Sequence, residues 1–276
     1  MSDSDKEATK EENQMSFLEH LEELRWHLMR SVIAVMVFAI GAFIFYDFIF
    51  NVLILAPKNP EFFTNKMFFI LSEYTGVESL KINRHPFQII NINMAGQFAT
   101  HISVSLVIGI IASFPYIFYE FWSFLKPALY DNEKKHARGS IFYTSFLFAL
   151  GILFGYYIIT PLSVHFLGSY SVSDQVLNQI NLTSYISSIT SIVLAGGVIF
   201  ELPVLIFFLS KIGLVSPEFL KKHRKHSVVL ILILSAIITP PDIFSQVLVC
   251  LPLLLLYEIG IKISKRVQKN QLANLE

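Results

Sequence analysis

Long apolar stretches separated by short polar segments dominate this chain. They cover Ser31 to Tyr46, Ile102 to Phe118, Ile141 to Thr160, Ile186 to Leu209, Val228 to Thr239 and Ile243 to Tyr257. A helix needs roughly 17 to 25 residues at about 1.5 Å each to cross a hydrocarbon core of about 30 Å. The second, third and fourth stretches meet that length, and the first does so because apolar residues resume after Asp47 and run to Leu55. The last two are short and flank Thr239-Pro240-Pro241-Asp242. Two adjacent prolines cannot continue a helix, so this pair reads as a hairpin with its tip on the far side of the membrane. The pattern predicts an all-α polytopic membrane protein with six transmembrane helices, the last two short.

Composition supports lipid as the solvent. Hydrophobic residues make up 54% of the chain and charged residues 15%, with 26 Phe among 276 residues; a water-soluble domain carries about a quarter charged residues. A formal net charge of zero gives no bulk basic excess of the kind that nucleic acid attracts. Position matters more than sum. Lys126, Lys134, Lys135 and Arg138 follow the second stretch, Lys211, Lys221, Lys222, Arg224 and Lys225 follow the fourth, and Lys262, Lys265, Arg266 and Lys269 follow the last. No Lys or Arg occurs between Pro161 and Tyr185, and the longer connection from Asn51 to Gly96 has only four, widely spread. Positive charge is retained on the cytoplasmic side, so both termini are expected there (N-in, C-in). Residues 1–15 read as a disordered cytoplasmic tail, 16–265 as the membrane domain and 266–276 as a cytoplasmic C-terminal tail.

The chemistry of enzymes is hard to find. Cys250 is the one cysteine, which excludes an intrachain disulfide or a multi-thiolate metal site. There is no Gly-rich phosphate loop, no His-Glu-x-x-His and no Gly-x-Ser-x-Gly, so neither a metal nor a cofactor is expected and the protein is not read as an enzyme. His20 and His27 stand seven apart on a charged helix and suggest no metal geometry. Three features remain. Phe17, Leu21, Leu24 and Leu28 form one stripe of an amphipathic helix and leave Glu19, Glu23 and Trp26 on the other face; this is either a solvated lead-in to the first span or a carboxylate face that binds a cation. Tyr119, Phe121, Trp122 and Phe124 read as an interfacial aromatic belt, and Glu133 follows the turn at Pro127 where it could share a ligand with Glu23. Glu201 lies deep in the fourth stretch, about 15 Å of helix before Lys211. A carboxylate there costs roughly 2.5 to 3.5 kcal/mol on insertion scales, which makes a function the default reading; the alternative is a hydrogen-bonded structural Glu beside Pro203.

Four blocks taken together carry a resemblance. They are His20-Leu21-Glu22-Glu23-Leu24-Arg25; Pro115 with Tyr119, Trp122, Phe124, Pro127 to Tyr130 and Glu133; Phe200-Glu201-Leu202-Pro203; and Thr239-Pro240-Pro241-Asp242-Ile243-Phe244-Ser245-Gln246. In this order they resemble the TatC family, the multi-spanning receptor subunit of the twin-arginine protein translocase. The chain departs from the family pattern at Trp26-His27, where basic residues are usual, at Glu120, where Gln is common, and in the length of the 51–96 connection. The resemblance implies a receptor in the bacterial cytoplasmic (inner) membrane that binds twin-arginine signal peptides of folded precursor proteins, driven by the proton-motive force. It implies Glu23 and Glu133 as signal-binding residues supported by Phe124, with Glu22 and Arg25 in the same block. It also implies TatA-type and TatB-type single-span partners near Glu201 and the last hairpin, where Thr239, Asp242 and Gln246 are polar, and self-association within the complex. Pro57, Pro115, Pro127, Pro203, Pro240 and Pro241 are expected to be structural. The alternative function is a proton-coupled secondary transporter using Glu201 and Asp242.

Overall fold

The computed structural model describes residues 17–83, 87–125, 137–173, 175–176, 178–239 and 243–273. Helix α1 (Phe17–Ile44) joins the amphipathic lead-in and the first apolar stretch into one piece, because its 28 residues include no proline and one glycine, Gly41. After a π-helical segment (Ile49–Ile54) and a 3-10 turn (Ala56–Lys58) comes a short helix, α2 (Phe63–Thr75), closed by Gly76 in the left-handed conformation at φ 72°. Helix α3 (Gly96–Leu125) carries Pro115 in its interior. Helix α4 (Ala137–Phe154) passes through a π-helical turn (Gly155–Ile159) into α5 (Thr160–Ser169). Such a turn leaves backbone carbonyls without their usual partners. The hydroxyl of Thr64 in α2 donates to one of them, that of Tyr157.

Helix α6 (Leu182–Phe200) begins with Asn181 accepting from the Thr183 N–H at 2.9 Å. It stops at Glu201, and Pro203, which tolerates only the first turn of a helix, starts α7 (Leu202–Lys211). Helices α8 (Pro217–Lys222), α9 (Arg224–Ile238) and α10 (Ile243–Ala273) follow. Two dipeptide strands, β1 (Ile89–Ile90) and β2 (Ile180–Asn181), pair in parallel with Ile89 opposite Ile180.

Small residues set the closest approaches, as membrane helices require. A Cβ on Gly109 of α3 would come within 2.7 Å of the Val35 carbonyl of α1, and one on Gly196 of α6 within 2.7 Å of the Gly151 carbonyl of α4. The start of α1 and the end of α10 lie at one end of the bundle, the proximal end. Trp122 of α3 contacts Phe208 of α7 with ring centroids 5.5 Å apart, and Gln271 of α10 donates to the Lys211 carbonyl at 2.9 Å. The distal end holds α2 and a knot of two buried asparagines. Asn83, at φ 51°, donates to the Pro161 carbonyl at 3.0 Å and to Asn65 at 3.2 Å, while Asn65 donates to the carbonyls of Pro57 and Asn59. The Pro57 carbonyl accepts from Asn65 at 3.0 Å.

Five helical segments are long and apolar enough to cross a membrane among the described residues: His20–Ile44, Gly96–Phe124, Gly139–Ser169, Leu182–Lys211 and Ser245–Gln271. The protein is a multi-pass membrane protein. The expectation for the last hairpin needs correction in one arm. The apolar run after Ile243 ends at Tyr257, yet α10 continues to Ala273, 31 residues in all and about 46 Å long, because Glu258, Lys262, Lys265 and Arg266 are good helix formers that do not interrupt the backbone ladder. The other arm, α9, is short at 15 residues.

Candidate functional site

The proximal ends of α1 and α3 pack side by side and bring titratable groups from both into contact. On α1, His20, Glu23, His27 and Arg30 recur every three or four residues and so share a face. On α3, Tyr116, Glu120 and Phe124 are each four apart and form the opposing row. Glu120 is only 3% exposed and is fully provided for. Its Oε2 lies 2.5 Å from Nδ1 of His27 and 3.9 Å from a guanidinium nitrogen of Arg30.

Glu23 is held differently. The second nitrogen of His27, Nε2, stands 3.8 Å from one carboxylate oxygen, and Nδ1 of His20 stands 3.9 Å from the other. Both distances are too long for hydrogen bonds, and Oε2 of Glu23 is shielded without a hydrogen-bond partner among the described residues. Phe124 fixes the two imidazoles: its ring stacks on His20 at 4.4 Å and meets His27 edge-on at 6.2 Å. Glu22, Glu23, Trp26, His27 and Arg30 line an open concavity of about 670 Å³. The arrangement offers a half-exposed carboxylate between aromatic rings at the mouth of a hollow, suited to a planar cation that can stack and donate a forked pair of hydrogen bonds to it.

The apolar stripe of this helix is reversed from the simple amphipathic expectation. Leu21, Leu24 and Leu28 are exposed, Leu28 at 61%, while Glu23 and His27 turn toward α3. The reason is the surrounding solvent: lipid accepts the leucines, and the polar face needs Glu120 and Phe124. Of the other expected site residues, Glu22 lines the concavity, whereas exposed Arg25 is not part of its lining. Glu133 and Pro127 lie outside the described residues, as do Pro240, Pro241 and Asp242.

Glu201 sits where α6 hands over to α7. Its backbone N–H donates to the Val198 carbonyl at 3.1 Å and its own carbonyl accepts from Val204 and Leu205 at 2.9 Å. Both side-chain oxygens are shielded, and neither finds a hydrogen bond among the described residues. Pro203 is buried beside this break. At the hairpin, Thr239 donates to the Ser235 carbonyl at 2.8 Å and Gln246 to the Leu232 carbonyl at 3.3 Å, so both side chains are engaged within the hairpin.

His20, His27, Arg30, Tyr116 and Glu120 were not among the expected site residues. Part of their signal was present, since a seven-residue spacing is two helical turns and puts both histidines on the face of Glu23. The departures at His27 and Glu120 are one feature: the two replacements meet each other as a hydrogen-bonded pair.

Comparison with known proteins bears on this geometry. Residues 19–252 match the family model for the Sec-independent protein translocase protein TatC. The TatC protein of Blattabacterium sp. subsp. Periplaneta americana (strain BPLAN) is 42% identical over 263 residues, covering 95% of this chain and 99% of that protein. TatC of Aquifex aeolicus (strain VF5) is 36% identical, covering 91% of this chain and 95% of that one. The crystal structure of a twin arginine translocase receptor, TatC, superposes with a TM-score of 0.63 at 33% identity, over 91% of this chain and all of that one. Family model, relatives and fold agree over nearly the whole length, and the chain belongs to the TatC family of Sec-independent protein translocase components.

Proposed function

We propose that this chain is the receptor subunit of a twin-arginine translocase, which binds the paired arginines of a precursor's signal peptide at the proximal ends of α1 and α3. The observation that carries the proposal is the Glu23 carboxylate, its side chain 31% exposed, in the lining of the concavity. A guanidinium entering there gains a charge-assisted pair worth about 1.5 to 3 kcal/mol, and its flat face can lie against Phe124 and the imidazoles. Glu133 is the second carboxylate in this reading. Demand for arginine over lysine follows from geometry, since an ammonium is a point charge and cannot fork across a carboxylate.

The same reading puts the proximal end in the cytoplasm of a bacterial cell, with six crossings of the cytoplasmic membrane, α9 supplying the sixth despite its length. It assigns Glu201 to a polar group on a single-span partner of the TatA or TatB type, and it takes energy from the proton-motive force. A photo-reactive residue in place of Trp26, which is 53% exposed, tests the site. It should cross-link to a precursor carrying Arg-Arg and lose that product when the pair is Lys-Lys; equal products from both would remove the reading.

A further inference from the structure

Helix α2 turns polar residues toward the protein and apolar residues outward, the reverse of a helix on a water-soluble domain. Thr64, Asn65 and Ser72 are buried, and the first two are engaged by the Tyr157 carbonyl and the asparagine knot. Phe63, Met67, Ile70 and Tyr74 are exposed at 67, 49, 64 and 93%. At about 100° per residue these four fall within a sector of about 60°. Lys66 and Glu73, both exposed, lie together on one flank of that sector. The helix therefore has three sides, one of small polar residues against the bundle, one apolar and one charged.

Depth is fixed by what α2 touches. Phe68 packs with Ile158, Leu162 and Leu248, all inside helices long and apolar enough to cross the membrane. The Phe63 ring meets the edge of Tyr157 at 6.2 Å. Tyr157 and Leu153 are themselves exposed on α4 and its π turn, so the apolar surface of the third span runs without a break onto the outer face of α2. Water at that face would meet bare Phe, Met and Ile beside a hydrocarbon-facing helix.

We propose that α2 is an in-plane interfacial helix, its Phe63-Met67-Ile70-Tyr74 stripe sunk into the boundary between headgroups and acyl chains of the distal leaflet. Apolar area on one side, charge on the other and an aromatic at the end are what such a helix needs. Lys66 and Glu73 remain in the headgroup layer. Through Leu248 and the asparagine knot, α2 fixes the depth of the distal cap beside the short hairpin. This inference does not depend on signal recognition at the opposite end.

The test uses the full chain with Cys250→Ala, inserted as single molecules in phosphatidylcholine nanodiscs, with one new cysteine at a time carrying an environment-sensitive fluorophore. Met67→Cys and Ile70→Cys should show blue-shifted emission, strong quenching by lipids brominated on their acyl chains and weak quenching by aqueous iodide. Glu73→Cys should show the reverse order. Ile233→Cys, exposed on α9, reports acyl contact in a correctly inserted protein. Iodide quenching at Met67 and Ile70 as strong as at Glu73 would overturn the proposal in favour of a water-facing surface. Protection from both quenchers would overturn it in favour of a protein cover.

Discussion

Glu120 and Glu201 are both carboxylates within membrane-spanning helices, and they are provided for in opposite ways. Glu120 has partners from its own chain: His27 at 2.5 Å and, as a more distant charge, Arg30 at 3.9 Å. Glu201 has two shielded oxygens and no hydrogen bond among the described residues. A group satisfied inside the chain works for the chain, holding α1 against α3 and aiming His27 at Glu23. In the proposed reading, a group left unsatisfied among apolar surroundings is answered by something outside the chain, because an unpaired polar group there costs several kcal/mol. Glu23 shares that second condition at the rim, with one oxygen shielded and unpartnered.

The contrast is broken most strongly by removing Glu120. Glu120→Leu leaves His27 without its hydrogen-bond partner, and stranding a buried polar group costs about 1 to 3 kcal/mol. Thermal unfolding of the purified chain in mild detergent should register it. The paired change His27→Gln with Glu120→Gln should cost less than the sum of the single changes, with a coupling of about 1 kcal/mol or more. Strict additivity would mean the two side chains do not act as a unit.

Glu201→Gln makes the opposite prediction. The isolated chain should be as stable as the parent or more stable by about 1 to 2 kcal/mol, since a buried group without a partner is a liability. Co-purification of single-span partners and export of a precursor should both fall. A clear loss of stability in the isolated chain would show that Glu201 has an internal partner after all.

The sequence made one half of this comparison readable. Glu201 announced itself because a carboxylate deep in an apolar run has no ordinary explanation, and Pro203 two residues on marked the break in the helix. Glu120 did not, because it lies among aromatics near the end of a span, where interfacial residues are expected; that it is buried depends on a helix almost a hundred residues earlier. The stripe of Leu21, Leu24 and Leu28 was legible, but the surroundings of each face were not. Periodicity locates the two faces of a helix but does not say which solvent each meets, and in lipid the apolar face is the outer one. The long span of α10 was under-read because hydropathy ends at Tyr257 while helix propensity continues. The distal asparagine knot left no sequence signal, since Asn65 and Asn83 acquire their roles only when Pro57 and Pro161 are brought beside them.

A smaller effect sharpens the distinction between satisfied and unsatisfied groups. Ser210 and Ser264 share a buried hydrogen bond of 2.7 Å between α7 and α10. Ser210→Ala should cost about 1 kcal/mol by stranding Ser264, and Ser210→Ala with Ser264→Ala should recover most of it. Equal unfolding temperatures for the single and double variants would show that the bond contributes nothing.

The most direct measurement compares signal-peptide affinity for the parent chain and Glu23→Gln in nanodiscs, each with an Arg-Arg and a Lys-Lys peptide. Glu23 makes no hydrogen bond that Gln would lose, so both proteins should unfold at nearly the same temperature. The parent should prefer Arg-Arg, and the variant should lose about tenfold or more of that affinity, corresponding to 1.5 kcal/mol or above, together with most of the preference. A Glu23→Gln protein that still binds Arg-Arg as tightly as the parent and still rejects Lys-Lys would contradict the assignment of Glu23 as the receptor's guanidinium-binding group.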